Sequence, residues 1–248
     1  MIQFVEKPSL PAGRVKTIIG GNYCEELKAY FREINIDIIE VSQNNNIDTA
    51  TSTHTDMLAI HLGGNSVVVD CSQTDLINKL TDIGVNVLIT DSPVKGDYPD
   101  DIKLNFTIIG DRVIGNIKHC DIKISEELKN LNFYNCKQGY CKCSCLVINE
   151  NALITDDESI FNVASSSGID CLKISKGDIS LPGHEYGFIG GASGKISQGE
   201  VLFFGDITAH RDYKKIADFI KKHGCVIKTL NFPLTDFGGL VPLVEEIF

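Results

Sequence analysis

At 248 residues, with 43% hydrophobic and 23% charged side chains, the chain falls in the globular range, and its length fits one closed repetitive domain over residues 1–248. A formal net charge of -10 argues against a phosphate-tracking surface, because nucleic-acid binding requires clustered Lys and Arg that release counterions. No apolar run reaches the roughly 18 residues of a membrane span, and Met1 to Glu6 lack the basic-then-apolar pattern of a leader, so the sequence predicts a cytoplasmic protein with neither nucleic-acid nor membrane partners.

Taken in chain order, the elements repeat one arrangement: an apolar strand, a capping residue, an amphipathic helix, a glycine and a second apolar strand. A first copy covers Arg14 to Val41, with its helix near Cys24 to Glu33. The clearest copy runs from Ser66 to Thr90. There Ser66-Val67-Val68-Val69 is a short β-branched strand, and Ser72 or Thr74 caps a helix whose apolar face is Leu76, Ile77, Leu80 and Ile83. Gly84 ends that helix in the left-handed conformation and Val85 to Ile89 is the returning strand. A weaker copy spans Arg112 to Tyr134, with a helix near Ser125 to Leu131. The next has Ala152-Leu153-Ile154, acids Asp156 and Asp157 at the helix start, Gly168 as the stop and Cys171 to Ile174 as the returning strand. The last has Glu200 to Phe204, a helix from about His210 to His223, then Gly224 and Val226-Ile227.

A further strand precedes most copies, at Met57 to Ile60, Phe106 to Ile109, Leu146 to Ile148 and Gly187 to Ile189, and Leu240 to Leu243 supplies the one the first copy lacks. The copies recur at intervals of roughly 40–50 residues and each is too small to bury its own apolar face. The layout predicts a five-fold pseudosymmetric α/β propeller of ββαβ units, with the C-terminal strand closing onto the first unit so that no strand edge is left open. A doubly wound three-layer sheet is the rival architecture; it uses the helices but leaves the extra strands idle.

These units, together with the runs Gly139-Tyr140-Cys141-Lys142-Cys143-Ser144, Gly187-Phe188-Ile189-Gly190-Gly191-Ala192-Ser193-Gly194 and Gly238-Gly239-Leu240-Val241-Pro242-Leu243, resemble the pentein fold. That propeller is shared by guanidino-group-modifying enzymes and a ribosome anti-association protein, and the three runs look most like a bacterial branch to which no activity is attached. The resemblance covers nearly the whole chain. It implies a cysteine thiolate that attacks an amidine carbon, a histidine that moves protons and carboxylates that hold a guanidinium group. It also implies a His-x-Asp segment ahead of a strand, the place of His54-Thr55-Asp56, and a nucleophile shortly after a Gly-Gly turn in the last strand. Proline, at Pro242, stands where that cysteine is expected.

The candidate catalytic residues are therefore His54, Asp56 and Cys143. Cys143 alternates with Cys141 and Cys145, so an extended segment would put three thiols on one face. Lys142 beside it is a candidate for substrate binding, as are Asp236 before the Gly-Gly turn, His184 and Glu185 before another strand, and Ser193 in a glycine-rich turn. Each also has a plain structural reading, as a loop hydrogen bond, a buried thiol, a solvated acid or a tight turn. His210-Arg211-Asp212 reads as a helix start. The nine cysteines, Cys136 among them, lack the paired spacing of a zinc ribbon, so no metal and no cofactor is expected. The functional expectation is a hydrolase or transferase acting on a small guanidino or amidino compound in a central channel. Its alternative is a non-catalytic pentein that binds a small ligand or a protein partner.

Overall fold

The computed structural model describes residues 1–247. After a short strand β1 (Ile2–Phe4), the chain forms β2 (Arg14–Gly20), α1 (Glu25–Glu33) and β3 (Asp37–Glu40). A single helical turn α2 (Thr55–Leu58) leads into β4 (Ala59–Gly63), β5 (Ser66–Val69), α3 (Thr74–Asp82) and β6 (Asn86–Ile89). Next come β7 (Thr107–Ile109), β8 (Arg112–Gly115), α4 (Ile122–Glu127) and β9 (Asn132–Asn135), and then β10 (Cys145–Asn149), β11 (Ala152–Thr155), α5 (Glu158–Ser166) and β12 (Asp170–Lys173). The chain ends with β13 (Ser193–Ser197), β14 (Glu200–Phe203), α6 (Tyr213–Lys222), β15 (Val226–Lys228) and β16 (Leu240–Glu246).

Each unit pairs its first strand antiparallel to the second and its second parallel to the third, as in β4, β5 and β6. The other units are β7-β8-β9, β10-β11-β12, β13-β14-β15 and β16-β2-β3. Three form separate three-stranded sheets, and the remaining two share a seven-stranded sheet through one pair, Ser197 with Arg14. Five ββαβ units, each contributing three paired strands, make the α/β propeller, and the doubly wound alternative is excluded. The first strands neighbour one another, β16 beside β4, β7 beside β10, β10 beside β13 and β13 beside β16.

The repeat forms because each middle strand is buried on both faces and so reads as a continuous apolar run, as in Val67, Val68 and Val69. The third strands β3, β6, β9 and β12 are exposed at both ends. The helices cover them with one stripe each, Leu76 and Leu80 in α3 and Ile216, Phe219 and Ile220 in α6. Burying each such side chain contributes about 1.5–3 kcal/mol. After α3, α5 and α6 the expected glycines Gly84, Gly168 and Gly224 take positive φ of 86°, 83° and 76°.

The expected closure onto the first unit forms as an antiparallel pair, Leu240 with Gly20, Val241 with Ile19 and Pro242 with Ile18. The strand β1 adds to the other edge of β16, Ile2 opposite Glu246. Glu245, fully buried, accepts from the amides of Ala12 and Gly13 at 2.6 and 2.7 Å and ties the C-terminal strand to the N-terminal segment.

Four local expectations are corrected. Met57 and Leu58 belong to the turn α2, and the strand starts only at Ala59, because a short apolar run has no period that tells helix from strand. The fourth first strand is Ser193–Ser197 rather than Gly187 to Ile189; its Lys195 is buried, with Nζ on the carbonyls of Ile148 and Gln198 at 3.0 and 2.6 Å, so a charged residue occupies a core-facing position. The helix of the third unit, α4, starts at Ile122, where the Asp121 side chain accepts from the Lys123 amide, and ends at Glu127. Residues 141–144 form a turn, not a strand.

Candidate active site

A polar or glycine-rich segment leads into the first strand of every unit. Ahead of β4, His54 and Asp56 flank the start of α2; ahead of β7 lies Asn105; ahead of β10 lies the turn with Cys143. Gly187 to Ala192 precede β13, and Asp236 to Gly239 precede β16.

His54, Asp56, Cys143 and Asp236 converge, each 2–4% exposed. The His54 ring Nδ1 lies 3.6 Å from Asp236 Oδ1 and 4.0 Å from Asp56 Oδ1. Asp236 is held by the amides of Phe188, at 2.8 Å, and Gly238, at 3.0 Å. Glycine is needed around it: a Cβ on Gly191 would stand 1.9 Å from Asp236 Oδ1, and one on Gly238, at φ 82°, would stand 2.5 Å from His54 Cα. Both carboxylate oxygens of Asp56 are buried without a hydrogen-bond partner, an uncompensated cost in a protein interior unless a ligand supplies donors.

Asn105 ties this floor together and was not singled out from the sequence. Its Oδ1 accepts from the amides of Lys142 and Cys143 at 2.7 and 3.3 Å, and its Nδ2 donates to Asp56 O at 3.0 Å and to Cys143 Sγ at 2.9 Å. Its position immediately before a first strand, matching that of the other floor residues, is the signal that finds it. Burial, then the carboxylates of Asp56 and Asp236, push the Cys143 thiol well above its ordinary value. Burial likewise raises Asp236, offset in part by His54.

Above this floor opens a cavity of about 380 Å³. Asp48, Asp97, Asp101, Glu185 and Asp236 line it, and no Lys or Arg does. Its wall is aromatic. Tyr140 stacks on Phe188 with ring centroids 6.3 Å apart, Tyr98 lies 5.9 Å from Tyr140, and Tyr186 meets Phe188 edge-on at 5.9 Å. Tyr140 donates to Asp101 Oδ2 at 2.6 Å, while burial raises the Asp101 carboxyl.

His184 and Glu185 stand exposed at the rim, the His184 ring 3.4 Å from Asp48. Two candidates lie elsewhere. Lys142, in the turn, points to a separate small cleft beside Ala59, Phe106 and Val241, and Ser193 spends its hydroxyl on Ile189 O at 2.6 Å. The turn also separates the thiols that an extended segment would align: Cys141 and Cys145 pack with Cys136, Cys143 with Met57 and Leu58. Pro242 is buried in β16 and does not line the cavity. The described residues contain no group of three or more His, Cys, Asp or Glu side chains set to hold a metal ion. None of the described helices is long and apolar enough to cross a membrane.

A family model described as "Family of unknown function (DUF6873)" matches residues 18–241. No curated protein matches in sequence. Among solved structures, an amidinotransferase of the saxitoxin biosynthetic pathway from Microseira wollei is 9% identical with a TM-score of 0.59, covering 99% of this chain and 97% of its own. The DDAH from Pseudomonas aeruginosa, complexed with citrulline, is 11% identical with a TM-score of 0.53 over 88% and 92%. Agmatine deiminase from C. jejuni is 12% identical with a TM-score of 0.55 over 93% and 90%. All three are penteins, and at these identities the likeness is one of fold.

Proposed function

Because the chain belongs to the DUF6873 family and has the pentein fold, we propose that it is a hydrolase or transferase acting on a small guanidino or amidino compound. The observation that carries this reading is the convergence of His54, Cys143 and Asp236 on the floor of a cavity lined by carboxylates and aromatic rings without a Lys or Arg, with Asp56 buried beside His54. A cation gains from the carboxylates and from the ring faces alike. Asp56 and Asp236 hold the planar donors, Cys143 passes its proton to His54, and its Sγ attacks the amidine carbon. His54 gives a proton to the departing amine and then takes one from the incoming water or acceptor amine, which releases the product from sulfur. The raised Cys143 thiol fits this order of events. A bound cation offsets the two carboxylates that hold the proton on sulfur, so the nucleophile is released only when substrate is present.

The test is selective alkylation followed by mapping of the modified peptide. Chloroacetamidine, a cationic electrophile, is expected to modify Cys143 at least tenfold faster than neutral chloroacetamide, an advantage of about 1.4 kcal/mol. The preference should vanish in Asp56→Asn. Equal rates at all nine cysteines would sink the catalytic reading. A second reading, a binding protein without catalysis, is favoured by one observation: proline stands at position 242 where the resemblance expects the thiol. Calorimetric binding of guanidinium compounds by a chain that turns none of them over would select it.

A further inference from the structure

All nine cysteines are free thiols, and the chemistry proposed above uses one. Cys136 and Cys141 lie with their Sγ atoms 3.1 Å apart. Both also approach the carbonyl of Gln138, at 3.4 and 3.2 Å, because the chain doubles back between the end of β9 and the turn that carries Cys143. Cys136 is 4% exposed and Cys141 fully buried, so Cys136 is the sulfur a reagent meets first. The hydrogen bond from Cys141 lowers the Cys136 thiol, whereas burial raises Cys141 well above its usual range. A sulfur held 3.1 Å from a second thiol, with the outer of the two more accessible, is placed to attack an outside disulfide and to be resolved by that neighbour.

We infer that Cys136 and Cys141 are a redox-active dithiol that closes to a disulfide by exchange with a small disulfide of the glutathione type. In the first step Cys136 Sγ attacks one sulfur of the reagent and expels one thiolate, leaving a mixed disulfide on the protein. Cys141 gives up its proton, attacks the Cys136 sulfur and expels the second thiolate. Two electrons pass from the protein to the reagent, which leaves as two thiols. The sulfurs need approach by only about 1 Å to reach the S–S bond length of about 2.05 Å. The bridge closes the segment 136–141, which contains Tyr140, the ring that stacks on Phe188 and donates to Asp101. Oxidation therefore fixes one wall of the 380 Å³ cavity, whatever reaction that cavity serves.

The experiment equilibrates the full chain in buffers of reduced and oxidised glutathione, blocks the remaining thiols and maps the peptides by mass spectrometry. The expected product is a Cys136–Cys141 cross-link that appears before any other, reverses with dithiothreitol and raises Tm by about 4–8 °C. Cys141→Ser should trap glutathione on Cys136, and Cys136→Ser should leave Cys141 unmodified. The inference is overturned if the wild-type chain forms no such cross-link, if bridges scatter among the cysteines, or if glutathione accumulates on Cys136 unresolved. The wild-type measurement alone decides it, so it does not depend on either variant folding.

Discussion

Among single residues, Asn105 and Asp156 show how burial sets the worth of a polar group. Asn105 is wholly buried and occupies both ends of its amide, so its removal strands the amides of Lys142 and Cys143. Asn105→Ala should lower stability by about 2–3 kcal/mol, read as a shift in the urea midpoint at unchanged slope. Asp156, 5% exposed, has one carboxylate oxygen without a partner, and burial raises its carboxyl from 3.8 to about 6. The folded state then binds a proton more tightly than the unfolded chain. Its contribution to stability is highest below pH ~4 and is lost as pH rises to ~6. Asp156→Asn should therefore stabilise the protein at pH 7, by at most about 3 kcal/mol, with no gain at pH 4. Matched denaturant titrations at the two pH values check this; equal gains would refute the linkage.

At the scale of elements, what the sequence displays is what obeys a period or a stop signal. The five units, the helices α1, α3 and α5, and the glycines that end α3, α5 and α6 follow from apolar spacing and left-handed turns. Elements that break the pattern stay hidden. The strand β13 carries Lys195 in its core, and α2 is one turn inside an apolar run. The site divides the same way. His54, Asp56, Cys143 and Asp236 are visible as polar positions ahead of first strands, but Asn105 passes as a loop amide, and Lys142, adjacent to Cys143 in sequence, is carried by the turn to a different cleft. The turn Gly238-Gly239 is both legible and demanding, since its backbone presses on α2 and the Asp56 amide donates to Gly238 O at 3.3 Å. Gly238→Ala combines positive-φ strain with a clash against His54. It should cost roughly 1–3 kcal/mol and displace the histidine. Thermal melts would record the first effect, and loss of selective Cys143 alkylation the second.

For the whole molecule, the decisive contact is the one between the two ends of the chain. β16 lies between β1 and β2 and supplies the first strand of a unit whose other strands come from residues 14–40. Deleting residues 240–248 uncovers both neighbours and strands the amides that Glu245 accepts from. The shortened chain should melt at least 10 °C lower or fail to fold cooperatively, on the scale of roughly 2–4 °C per kcal/mol for a chain of this size. A melt that matches the full chain would show that closure carries little stability.

The same contact orders events during synthesis. A chain emerging from its N-terminus can assemble the middle units as each is made, but β2 and β3 wait for their partner until β16 appears. Asp236 and the glycine turn that abuts His54 arrive with that same last stretch. The cavity therefore gains the Asp236 carboxylate only as the molecule closes, and until then its walls stand without the residue that completes their floor.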